Sequence, residues 1–183
     1  METAIAPILH EAILTPDELP GWSAVSEPAP AVETPFSQTS DSNRFIEELT
    51  VRFKKGDTGE ILVQHIGVLP GGDADELERD LALSDACAAE AEMVEESPHE
   101  SWAVAPLQMP PVAEQALSFR LIAGLPDSRL LLADNVYMRR GCVALALVRM
   151  DPDARDSSGN SMVPLAEIAD RKLAAAAEKI GIA

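Results

Sequence analysis

The sequence predicts an α+β fold: one domain over residues 1–183, built on a largely antiparallel β-sheet flanked by helices in an α/β/α sandwich-like arrangement. Three observations predict it. Apolar residues recur at period two in several runs, most clearly Val136, Met138, Val143, Leu145 and Leu147; such alternation marks a strand with two unlike faces. Most links between these runs are too short for the crossovers that parallel strands need. Stretches with helical spacing stand near both ends of the chain and in its middle.

Pro7 to Leu14 carries a short amphipathic pattern, and Thr15-Pro16 with Glu18 is a helix-start signature that opens a second turn. Pro20-Gly21 ends it, and Trp22 to Val25 enters the sheet. Ser26 to Asn43, rich in Pro, Ser, Thr and acid, reads as a mobile loop because it has too little apolar surface to offset its ordering entropy. Leu49, Val51 and Phe53 alternate with polar residues as a half-buried strand. Lys55 to Gly59 turns, and Ile61 to Leu69 follows as a central strand, apolar on both faces. Asp73, with Glu76 at the capping-box position, starts a middle helix that ends near Cys87.

Glu92 to Glu100 is acidic and loop-like. Trp102 to Leu107 is a short strand that Pro106 confines to an edge. A strand around Leu117, Phe119 and Leu121 turns through Gly124 to Ser128 into Leu130 to Met138. A tight hairpin with Arg140-Gly141 between its arms continues to Met150, since glycine supplies the positive φ such a turn needs. Cys142, Ala144 and Ala146 form the small-residue face of the second arm, the face on which a helix is expected. Residues 151–161 form a second mobile loop, and Pro164 to Ile180 is an amphipathic helix stopped by Gly181.

The net charge of −17 disfavours nucleic acid and anionic membranes, which require Lys and Arg against phosphate, so no nucleic-acid partner is expected. No apolar run reaches the ~20 residues that span a bilayer, so no transmembrane segment is expected. The first residues lack the basic and apolar regions of a signal peptide. Either Met1 is the natural start of a cytoplasmic protein, or an exported protein is written without its leader.

Cys87 and Cys142 are the only cysteines. A disulfide between them would pin the middle helix to the sheet; two buried free thiols are the alternative. The even count agrees with export and favours the bridge.

No metal site is expected. His10, His65 and His99 have no ligand spacing, and the loop from Asp151 fails as a calcium loop at Arg155, Asp156 and Met162. No catalytic motif and no cofactor fingerprint is present. Trp22, His65, Trp102, Arg120 and Tyr137 are the candidate ligand-binding residues, being aromatic, titratable or cationic side chains on strands. Packing in the core or at its rim is the alternative for each.

Three runs carry a resemblance: AILTPDELPGW (Ala12 to Trp22), NVYMRRGCVALALV (Asn135 to Val148) and PLAEIADRKLAAA (Pro164 to Ala176). Together they resemble actinobacterial cell-wall lipoproteins and the extracellular sensor domains of a mycobacterial serine/threonine kinase family. The resemblance implies a Mog1/PsbP-like sandwich, displayed outside the membrane and binding an unidentified ligand. The chain departs from those families in lacking a lipobox cysteine near its start, and in having one cysteine pair where the kinase sensors have two.

The function expected is therefore a non-catalytic extracytoplasmic ligand-binding or sensor-like domain, displayed as a cell-surface lipoprotein. The alternative is a cytosolic adaptor that docks a protein partner on the same fold. An enzyme is the third reading, because the fold alone does not decide chemistry.

Overall fold

A computed structural model describes residues 4–25, 45–56, 58–69, 102–124, 130–153 and 160–181. Helix α1 (Ile5–Ala12) is followed by a 3-10 turn (Pro16–Glu18) and strands β1 (Trp22–Ala24), β2 (Glu47–Lys55) and β3 (Glu60–Val68). Strands β4 (Trp102–Pro106), β5 (Gln115–Gly124), β6 (Leu130–Arg140) and β7 (Val143–Asp151) precede helix α2 (Met162–Gly181). The expected loop at Ser26 to Asn43, the middle helix with Cys87, the acidic stretch Glu92 to Glu100 and the centre of the 151–161 loop lie outside the described residues.

The strands form one seven-stranded sheet in the order β1-β2-β3-β7-β6-β5-β4, antiparallel at every neighbour. Two meanders, β1 to β3 and β4 to β7, are joined where β3 pairs with β7. Short links explain the antiparallel pairing of β2 with β3, β5 with β6 and β6 with β7. Pro106 lies on the edge strand β4, where its missing N–H breaks no ladder. The hairpin turn falls on Gly141-Cys142, one residue later than expected, and Gly141 supplies the positive φ of 54°.

The face that the helices cover differs from expectation. Helices α1 and α2 pack on Val143, Leu145 and Leu147, together with Leu62, Ile66, Val136 and Met138, whereas Ala144 and Ala146 are half-buried on the opposite face. The larger side chains bury more apolar area, about 25 cal/mol for each Å². Close approach comes from the helix instead. Ala166, Ala169 and Ala176 stand in the α2 seam with Met162, Leu165 and Leu173, at the spacing of one helical face. On the opposite face Gly67 leaves room for Phe45, whose ring carbon lies 2.5 Å from where a Cβ would stand.

Polar groups fix how the helices sit. The side chain of Gln64, fully buried on β3, accepts the Leu14 N–H (2.8 Å) and donates to the Ala12 carbonyl (3.1 Å). Lys172 of α2 donates to the Ile13 carbonyl (2.6 Å) and pairs with Glu18 (3.0 Å), placing a cation at the C-terminal end of α1. Glu18 also accepts the Thr15 N–H and hydroxyl, as the capping-box reading expects. Near the other end of the sheet Arg140 grips Asp170 of α2 through Nε (2.7 Å) and Nη2 (3.0 Å). That bond is the main reason the Asp170 carboxyl titrates below its ordinary range.

Gln64→Leu keeps the size of the buried side chain but strands two backbone groups. It is expected to lower unfolding stability by about 2–4 kcal/mol, read from the chemical-denaturation midpoint. A loss under about 1 kcal/mol would show that both groups find other partners.

Candidate functional site

The candidate residues are spread over the sheet. Trp22 lies on edge strand β1, with Lys55 Nζ 5.6 Å from its ring centroid, and Trp102 lies on β4 at the opposite edge. Arg120 is buried on the helix-covered side, bonded through Nη2 to Asp134 (2.8 Å), with Nε as second donor. His65 and Tyr137 share the opposite face, in one cross-strand row with Ala146 between them. Tyr137 stacks on Phe119 at 6.0 Å between centroids, beside an apolar cluster that includes Leu121 and Ala133. The five do not converge on one cleft.

Arg120 belongs to an ionic ladder across β5, β6, β7 and β3. Arg149 reaches Glu60 (2.8 Å), Asp134 (3.3 Å) and Asp151 (3.5 Å), and Lys55 approaches Glu60 (3.3 Å). Side-chain exposure is 3% for Arg149 and 1% for Asp134, so water screens little of the interaction. Cations and anions alternate, and each buried charge faces an opposite one. The ladder is read as a structural device, because removing one partner from such a pair costs about 3–5 kcal/mol. The sequence does contain its signal: Arg149 and Asp151 continue the buried phase of Val143, Leu145 and Leu147, and Asp134 continues that of Val136 and Met138.

His65 has a different setting. Its Nδ1 is 2.7 Å from Thr50 Oγ1, its Nε2 is 3.5 Å from a Glu48 carboxylate oxygen, and Phe45 meets its ring edge-on at 5.2 Å. Burial pushes the imidazole below its ordinary 6.5, and Glu48 opposes the shift. A neutral ring accepting the Thr50 hydroxyl at Nδ1 turns an Nε2–H toward Glu48. Carboxylate, imidazole and hydroxyl thus stand in the order that activates a hydroxyl, but Thr50 and Glu48 are exposed and line no described cleft with His65.

A groove of about 510 Å³ lies at the β2 edge, and none of the five candidates lines it. Ile13, Leu14, Thr15 and Pro16 form one wall; Ala24, Val25 and the Thr50 to Phe53 stretch of β2 form the other. Its origin is a mismatch of strand lengths. β1 has three residues and β2 has nine, so pairing along the outer edge of β2 ends, among the described residues, at the bond from Val25 N–H to the Arg52 carbonyl (2.9 Å). Gln64 holds the wall from Ile13 to Pro16 in place through Leu14. Val25 and Ile46 expose 37% and 60% of their surface nearby in the chain. Sequence reasoning missed this site, because the shortness of β1 and the path after α1 are tertiary facts.

Cys142 is half-buried in the hairpin turn with a free thiol, and Cys87 lies outside the described residues. Among the described residues no cluster of three or more His, Cys, Asp or Glu side chains is arranged to hold a metal. No described helix is long and apolar enough to cross a membrane.

The His65 shift has a definite sign. With the folded pKa below the unfolded value, the unfolded chain binds the proton first as pH falls. Stability from this group is present above pH ~6.5 and is lost progressively below it. Thermal unfolding at pH 7.5 and pH 5 is expected to show a drop in Tm that His65→Gln reduces; an unchanged drop would assign it to other groups.

Scanned against models of known protein families, the chain matches none, and no curated protein matches it.

Proposed function

We propose that the chain is a non-catalytic ligand-binding module whose ligand is an extended segment of a protein partner, held in the groove beside β2. One observation carries the reading: among the described residues an apolar groove runs along a sheet edge, with backbone on one side of it and Leu14 and Pro16 on the other. Ligand sites are concave and mainly apolar with a few polar groups, and an exposed strand edge supplies those polar groups from the backbone. The ionic ladder supports the same reading indirectly, since its charges are satisfied by one another, whereas the groove is an apolar concave feature among the described residues.

Placement outside the cytoplasm belongs to the proposal and is supported by the resemblance; the described Cys142 thiol is free. Alkylation of the unfolded, unreduced protein tests the Cys87–Cys142 bridge that the even cysteine count suggests: protection of both cysteines would support export. Two modified thiols would move the reading to the cytosolic adaptor, with the groove unchanged.

The groove itself is tested by selecting peptides from a random library against the intact chain. Selected peptides are expected to alternate apolar residues and to bind at least about tenfold more weakly to Val25→Glu, a charge at the groove wall. Melting of the variant controls for folding. Peptides indifferent to Val25→Glu, or no selected peptides, would overturn the groove as the site.

A further inference from the structure

We infer that Lys172 is a positioning residue of the groove: from α2 it holds the wall from Ile13 to Pro16 in the place that binding requires. This rests on the groove reading and names how that site is controlled.

The wall has little backbone bonding of its own. Helix α1 ends at Ala12, and Ile13 and Thr15 are extended. A helix end leaves carbonyls without partners, and here side chains from elsewhere supply them. Gln64 of β3 donates to the Ala12 carbonyl and accepts the Leu14 N–H. Lys172 donates to the carbonyls of Ile13 (2.6 Å) and Glu11 (3.3 Å). Its third contact is a Glu18 carboxylate oxygen at 3.0 Å, the same oxygen that accepts the Thr15 N–H (2.8 Å). One ammonium, with three donors to give, thus holds the chain on both sides of Leu14.

Lys172 is the stronger of the two ionic links from α2 to this part of the chain. Its side chain is 20% exposed, which favours charge-assisted bonds. Lys179 pairs with Glu11 where the side chains are 50% and 66% exposed, and such a pair adds little. Lys172, Glu18 and Gln64 do not line the groove. Their influence on a bound segment passes through Ile13, Leu14 and Pro16, and a wall already held in place lowers the ordering cost of binding. Asp170 provides a control. It lies two residues along α2, about 200° around the helix, and seats α2 against Arg140 without touching the wall.

The experiment follows amide hydrogen exchange in the isotope-labelled intact chain, with melting of each variant as the control for folding. Lys172→Met is expected to speed exchange at Leu14 and Thr15 by about tenfold or more; Lys172→Arg, which keeps charge and donors, by less than about threefold. Asp170→Asn is expected to change these amides by less than about twofold. The binding probe is a library-selected peptide that Val25→Glu weakens. It is expected to bind Lys172→Met about tenfold more weakly and Asp170→Asn within about twofold of the parent. Unchanged exchange at Leu14 and Thr15, or equal effects of Lys172→Met and Asp170→Asn, would overturn the inference. Faster exchange with unaltered peptide affinity would overturn control of the site by Lys172 and leave the groove reading intact. Failure to select any peptide would overturn the groove reading, and exchange alone would then decide whether Lys172 positions the wall.

Discussion

The amide of Gln64 is the contact on which the layout of the helix-covered face depends. It sits in the middle of β3 with no exposed surface and meets the last carbonyl of α1 and the N–H of Leu14. Both backbone groups would otherwise be buried without partners where the helix ends, a position that always leaves carbonyls to be satisfied. Because one side chain serves both, the path from Ile13 to Pro16 is set relative to the sheet. That path is one wall of the groove. Lys172 fixes the same segment from α2, so helix, helix and sheet meet at one point.

The two ends of the helix-covered face use different physics. Toward the Val143 end, apolar side chains from β3, β6 and β7 pack against the alanine-rich seam of α2. Toward the Asp151 end, the same face carries the ladder from Lys55 through Glu60, Arg149 and Asp134 to Arg120. Burying charge in this way adds little net stability compared with apolar residues of the same shape. It does distinguish registers: sliding β6 by two residues along β7 keeps every side chain on its face but takes Asp134 from opposite Arg149. We read the ladder as a register lock across strands whose apolar rows would tolerate such a slip.

Much of the fold was legible because it depends on local chemistry. The capping box at Thr15 and Glu18, Pro106 on an edge, the glycine of the β6–β7 turn and the seam of α2 are each decided within a few residues of sequence. The face that the helices choose was not legible from β7 alone. Small residues on a strand look like room for a helix, yet here the alanines of α2 make that room and the strand contributes its larger side chains. The candidate ligand residues share only a type, and type does not say which face a row occupies: Arg120 and Tyr137 lie on adjacent strands yet on opposite faces. The groove depends on β1 stopping short of the length of β2, which no residue pattern announces.

The strand order also bears on how the chain folds. Six pairings make the sheet, and those between β2 and β3, β5 and β6, and β6 and β7 join hairpin neighbours that close over short loops. The seam between β3 and β7 is different, because it brings position 68 to position 143. Closing so long a loop loses more chain entropy before any contact repays it, and non-local pairing of this kind slows folding. The two meanders are therefore the natural early units, and their union is the late step. Glu60 lies on β3 and Arg149 on β7, so their bond waits for that step, as does the grip of Lys172 on Ile13. The groove, lined by residues 13–16, 24–25 and 50–53 and braced by Gln64, belongs wholly to the first half and can take shape before the two meet.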